Sequence, residues 1–151
     1  MSTIFDLIRS SASIEDVTTF ITTNPNCVNS LDEKFNITPL MLSSSLNRLD
    51  VCQVLFTNGA TIDFGVFTAL MCAVNENNLA ISEFLLNNGA NVNLACDELT
   101  CLIRAATFGY YDMCVLLLGK GANKDYATSQ GYKAIYWAEQ GGFTDIVNLL
   151  S

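Results

Sequence analysis

The sequence predicts an all-α solenoid of stacked helix-turn-helix units, and three observations carry that reading. The first is internal repetition. Thr38-Pro39-Leu40-Met41-Leu42 is followed 21 residues after Thr38 by Gly59-Ala60, and the same distance separates Thr68 from Gly89-Ala90 and Thr100 from Gly121-Ala122. A fourth start, Lys133-Ala134-Ile135-Tyr136-Trp137-Ala138, places the starts at 38, 68, 100 and 133, which are 30, 32 and 33 residues apart. Periods of this size mark arrays in which one unit is too small to bury its own apolar face and must stack on its neighbours. The second observation is that the apolar spacing inside each unit is helical. The third is composition: half of the 151 residues are hydrophobic and only two are proline, so burial is ample and disorder is excluded.

Each unit reads as two short helices. The first opens on a threonine N-cap, and in the first clear unit Pro39 sits at the first helical position, where a missing N–H costs nothing. The second carries Val51, Val54 and Leu55 in one unit, Ile81, Phe84 and Leu85 in the next, and Met113, Leu116 and Leu117 after that. Gly59, Gly89 and Gly121 close these helices in the left-handed conformation. Unit length varies while the Thr-to-Gly distance does not, so insertions and deletions fall in the linking loop. The expected core is Leu40, Leu70, Leu102 and Ile135 on the first helices with Leu55, Leu85, Leu117 and Leu150 on the second.

Charge and residue usage exclude function classes. Seven Lys and Arg against fifteen Asp and Glu give a net charge of −8, which opposes binding to nucleic acid or an anionic membrane. The absence of histidine removes the commonest general base and the commonest zinc ligand. No apolar run is long enough to span a bilayer. Asp6 and Arg9 interrupt the early apolar stretch Ile4 to Ile8, so no secretory signal is read there, and a reducing, cytoplasmic setting is expected, with the nucleus left open. The six cysteines include no Cys-x-x-Cys pair. Cys52 and Cys114 share one second-helix position with Ser82 between them, which predicts buried structural thiols; Cys96 is expected in an exposed loop. Asp50, Asp112 and Asp145 recur near second-helix starts, where a carboxylate complements the helix dipole. Gly119-Lys120-Gly121 falls at a helix end and so has the wrong context for a phosphate loop. Neither cofactor nor metal is called for, and no enzymatic activity is expected.

With the tails Asn58-Gly59-Ala60-Thr61-Ile62-Asp63 and Asn87-Asn88-Gly89-Ala90-Asn91-Val92-Asn93 added, these units resemble the ankyrin repeat. The resemblance implies about five stacked units with short β-turn fingers in a single domain, at approximately residues 1–32, 33–63, 64–95, 96–127 and 128–151. The first unit is a divergent cap with Ile14, Val17, Phe20 and Ile21 on its second helix. The histidine of the family's start is here Met41, Met71, Ile103 and Tyr136, which predicts apolar packing in its place and looser coupling between loops. The stretch from Gly59 to Thr68 is short and predicts a truncated finger at Asp63 to Phe67.

The resemblance further implies a non-catalytic protein-interaction module, acting as adaptor, scaffold or steric inhibitor through a concave face of fingers and first-helix ends. Residues preceding each start are Ile37, Phe67, Leu99 and Tyr132; finger tips include Phe35, Phe64, Val66 and Asp97; helix ends include Leu46, Glu76 and Phe108. The candidate partner-binding set is therefore Phe35, Ile37, Leu46, Phe64, Phe67, Glu76, Asp97, Leu99, Phe108 and Tyr132. An apolar stripe with an acidic rim suits a protein or peptide whose apolar segment is flanked by basic residues, bound by a monomer. The alternatives are a recognition domain cut from a longer protein or enzyme, and a cysteine-based redox-sensing regulator.

Overall fold

Helix-capping chemistry decides where the elements begin. In the computed structural model, which describes residues 2–151, Thr38, Thr68 and Thr100 each accept the backbone N–H of the third helical residue, at 3.2, 3.4 and 3.3 Å. Lys133, at the fourth start, supplies no side-chain cap. The described residues form five helix pairs: α1 (Ile4–Arg9) with α2 (Ile14–Thr23), α3 (Pro39–Ser45) with α4 (Leu49–Thr57), α5 (Ala69–Asn75) with α6 (Leu79–Asn87), α7 (Cys101–Phe108) with α8 (Tyr111–Gly119), and α9 (Ala134–Gly141) with α10 (Thr144–Leu150). A 3₁₀ turn, Pro25–Asn29, follows α2, and an antiparallel ladder joins β1 (Ala95–Cys96) to β2 (Leu99–Thr100) ahead of α7. The first helix, α1, is held by a capping box in which Thr3 and Asp6 bind each other's backbone N–H.

The core runs the length of the stack. Leu40, Leu70 and Leu102 are buried beside Leu55, Leu85, Leu117 and Leu150, and the column Cys52, Ser82, Cys114 is buried as well. Ile135 departs from the expectation and is only half-buried. Ala134 and Ala138 take the buried positions of α9, and no described helix covers its other side, so Ile135 and Tyr136 keep part of their surface. At every junction neighbouring first helices pack on one another more extensively than neighbouring second helices do. The stack therefore curves, with α1, α3, α5, α7 and α9 on the inner side.

Two series of polar contacts stitch the pairs together. The last tail residue of a unit reaches forward to the backbone of the next tail. Asn29 donates to Gly59 O at 2.9 Å and accepts Thr61 N–H at 2.8 Å, Asp63 accepts Asn91 N–H at 2.9 Å, and Asn93 donates to Gly121 O at 3.2 Å while accepting Asn123 N–H at 2.8 Å. The residue that opens each second helix reaches backward. Arg48 donates to Ala12 O at 3.0 Å, Asn78 to Ser44 O at 2.7 Å and Tyr110 Oη to Asn75 O at 3.4 Å, while Phe143 lies against Gly109 and Gly141. The loops are thus coupled despite the missing histidine, through tail carboxamides, and the expected looseness is replaced by a ladder. Met41 retains part of the capping role, its Sδ lying 3.4 Å from Thr38 N.

Candidate functional site

The fingers differ from one another for local reasons. In the first, Asp32 accepts the backbone N–H of Lys34 and Phe35 at 3.0 and 2.9 Å and pairs with Arg9 at 2.7 Å. The Arg9 guanidinium, with the two backbone N–H groups, holds this carboxyl below the usual carboxylate range. Arg9 also lies 5.7 Å from the Phe35 ring and Lys34 lies 5.0 Å from it, so the exposed Phe35 is clamped between cations rather than rimmed by acids. In the second finger Gly65 turns the chain at φ +70°, and Val66 is 71% exposed. The third is the hairpin β1–β2, turned by Asp97 and Glu98, both at positive φ. Glu98 accepts the backbone N–H and hydroxyl of Ser129 at 2.9 and 2.8 Å, which ties this finger to the fourth and holds its carboxyl low, the backbone N–H contributing most.

The candidate side chains separate into two groups. Phe35, Leu46 and Phe108 are exposed, at 56, 47 and 52%, as are the carboxylates Glu76 and Asp97. Ile37, Phe64, Phe67, Leu99 and Tyr132 are half-buried, and the first four pack against the core. The stripe is therefore narrower than expected from the sequence, because residues preceding a start partly fill the space beneath the fingers. Aromatic stacking fixes several of its members: Phe108 lies on Tyr110 with ring centroids 5.6 Å apart, and Tyr132 lies on Tyr136 at 4.0 Å with Trp137 edge-on at 6.1 Å. Such rings present large apolar area with little conformational freedom left to lose.

Arg104 of α7 is outside the expected set, and it bridges the end of α5 and the β1–β2 finger. Its guanidinium stacks 5.7 Å from the Phe67 centroid, and donates to Asn75 Oδ1 at 3.4 Å and to Cys96 O at 3.3 Å, beside Glu76 and Asp97 in the chain. The signal for it lay in the repeat register. Counting four residues from each start gives Leu42, Cys72, Arg104 and Trp137, a single charge in an otherwise uncharged column. Arg104 Nε and Trp137 Nε1 are both buried without an acceptor in the protein.

The residues that make this geometry match known family profiles: one described as "Ankyrin repeats (3 copies)" covers residues 7–96, and one described as "Ankyrin repeat" covers residues 97–129. The chain belongs to the ankyrin-repeat family. Among curated proteins no match is found. Ankyrin repeats are generally protein–protein interaction modules and generally non-catalytic.

Elsewhere in this ankyrin stack the remaining candidates have structural explanations. All six cysteines are unpaired. Burial pushes the thiols of Cys72, Cys101 and Cys114 up to about 12, and also raises those of Cys52 and Cys27. Raised thiols are poor nucleophiles at neutral pH, which removes support from the redox-sensing alternative. Cys96 is half-buried in β1 rather than exposed, because strand pairing turns it partly toward the core. Asp50, Asp112 and Asp145 stand in the first turns of α4, α8 and α10, and Asp50 is held low chiefly by its hydrogen bonds from Arg48. Among the described residues no three Cys, Asp or Glu side chains converge as metal ligands, and no helix is long and apolar enough to cross a membrane.

Proposed function

We propose that this chain is a single-domain, non-catalytic adaptor, scaffold or steric inhibitor, a monomer that holds a segment of one partner protein along its concave face. The observation that carries the reading is the exposure of Leu46 and Phe108 at the matching ends of α3 and α7, with Glu76 exposed at the end of α5 between them, Asp97 exposed in the finger ahead of α7, and Phe67 half-buried on the finger side. A partner segment with apolar side chains and basic flanks complements that face. Large, rigid apolar groups carry most of the affinity in such an interface, and peripheral carboxylates act mainly on the association rate. Phe35, Ile37, Phe64, Leu99 and Tyr132 extend the proposed contact along the fingers. The six unpaired cysteines support a reducing compartment, the cytoplasm before the nucleus.

Affinity capture with the wild-type chain beside a Phe67→Ala/Phe108→Ala variant identifies the partner, and titration then measures each substitution alone. Phe67→Ala and Phe108→Ala are expected to weaken binding by about 1–4 kcal/mol each, Glu76→Gln to reduce chiefly its salt dependence, and the outer-helix control Glu83→Ala to change nothing. Loss of affinity in the control with none in the phenylalanine variants would refute the assignment of this face.

A further inference from the structure

Arg104 is the one arginine of the chain that has no carboxylate. The sequence contains three arginines and fifteen acidic residues. Arg9 is paired with Asp32 at 2.7 Å and Arg48 with Asp50 at 3.0 Å, whereas no carboxylate among the described residues lies within 4 Å of Arg104. Its two hydrogen bonds, at 3.4 and 3.3 Å, are at the long limit for N–H···O, and its Nε is buried with no acceptor. The side chain is nonetheless held in place, stacked on Phe67 and bridging the end of α5 to the β1–β2 finger. On the adjacent α9, at the equivalent repeat position, Trp137 carries a second buried N–H without an acceptor. Two buried donors at matching repeat positions on this side of the stack, Arg104 Nε and Trp137 Nε1, thus lack an acceptor; Arg48 Nη1 and the carboxylate oxygen Asp63 Oδ1 are likewise buried without a partner.

A guanidinium presents parallel donors that match the two oxygens of a carboxylate, and charge-assisted pairs of this kind are short and strong. Weak present bonds mean that little is surrendered when such a group arrives. We propose that Arg104 is an anion anchor: it receives one aspartate or glutamate side chain from the partner segment that lies in the concave groove. This rests on the concave-face reading above and refines it. The partner segment carries a central acidic residue among its apolar side chains, between the basic flanks that face Glu76 and Asp97, and the register of the segment is set by where that residue meets Arg104.

The test uses the whole chain and a display library of random linear peptides as the probe. Binders selected on the wild-type protein are re-measured on Arg104→Gln, which removes the guanidinium and keeps a polar side chain, and on Phe108→Ala, with far-UV circular dichroism confirming that both variants fold. The expected result is that selected peptides lose affinity on Phe108→Ala and share an Asp or Glu. Changing that residue to Asn or Gln should lower affinity about tenfold on the wild type and not on Arg104→Gln. In an ¹⁵N-labelled sample the Arg104 Nε–H resonance should move with the acidic peptide and stay with its amide counterpart. Peptides that need Phe108 and show no acidic preference would overturn the anchor and leave the concave-face reading intact. Peptides indifferent to both substitutions would overturn the concave-face reading and the anchor together.

Discussion

Asn93 offers the sharpest test of how the units are joined. Its carboxamide makes two bonds to the backbone of the following tail, accepting from Asn123 N at 2.8 Å and donating to Gly121 O at 3.2 Å. Net values for such bonds are about 0.5–1.5 kcal/mol each, and both are exposed, so water replaces part of what is lost; Asn93→Ala should destabilise by about 1–2 kcal/mol. For a chain of this size that is a fall in Tm of roughly 2–8 °C. Asn29→Ala removes the same two contacts two junctions earlier and should cost a similar amount, whereas Asp63→Ala, at the junction between, removes one and should cost about half as much. Urea denaturation followed by circular dichroism measures the stabilities, and hydrogen exchange by NMR reads the Asn123 amide directly. The reasoning fails if Asn93→Ala lies within about 0.5 kcal/mol of wild type, the range of ordinary surface changes such as Glu83→Ala, and the Asn123 amide exchanges no faster.

Leu85 is fully buried in the central pair, so Leu85→Ala should cost about 2–5 kcal/mol in the same denaturation experiment, and a change under half a kilocalorie would mean that the register is wrong. Gly119 and Gly141 form a matched pair of helical glycines: a Cβ at 119 meets nothing within 4 Å, whereas at 141 it collides with the Phe143 ring. Gly119→Ala should therefore raise stability by up to about 1 kcal/mol through helix propensity, while Gly141→Ala should lower it by roughly 1–3 kcal/mol through overpacking; equal effects in calorimetry would contradict the placement of Phe143. The raised thiols of Cys72, Cys101 and Cys114, near 12 when folded, stabilise the fold fully below the unfolded thiol value of about 8.5 and lose that contribution as pH rises through the folded values. Chemical denaturation should show falling stability above about pH 9, less steeply in a Cys114→Ala variant, and native thiol labelling at pH 8 should modify Cys96 well before these three.

Much of the architecture was legible because repetition made the same signals appear several times over. The threonine caps, the closing glycines and the leucine pairs recur at fixed offsets, and each follows from local backbone chemistry that needs no knowledge of distant parts of the chain. Ile135 was misjudged because burial at a given repeat position depends on what lies on the far side of the unit, which register alone does not reveal. The tail ladder has a sequence signature of its own, since Asn29, Asp63, Asn93 and Asp125 occupy one repeat position. For the candidate face the sequence identified side chains near the fingers but not their depth. Ile37, Phe64, Phe67 and Leu99 sink toward the core because neighbouring units leave space beneath the fingers, a tertiary effect with no periodic signature. Arg104 has the opposite character: its signal is a single charge in a register column whose other members are Leu42, Cys72 and Trp137, and composition or net charge does not reveal it.

The residues that open the second helices, Arg48, Asn78, Tyr110 and Phe143, all reach back to the preceding unit, yet each does so by different chemistry. The junctions are consequently keyed. Phe143 needs the bare backbone of Gly109 in front of it, and would meet Leu46 and Asn47, or Glu76 and Asn77, if its unit were moved behind an earlier one. Exchange of whole units within this chain, by recombination or by design, would therefore scramble fits that look interchangeable in the repeat pattern. The repeats are therefore an ordered sequence of parts, and the order of the residues along the inner helices is held by contacts between units.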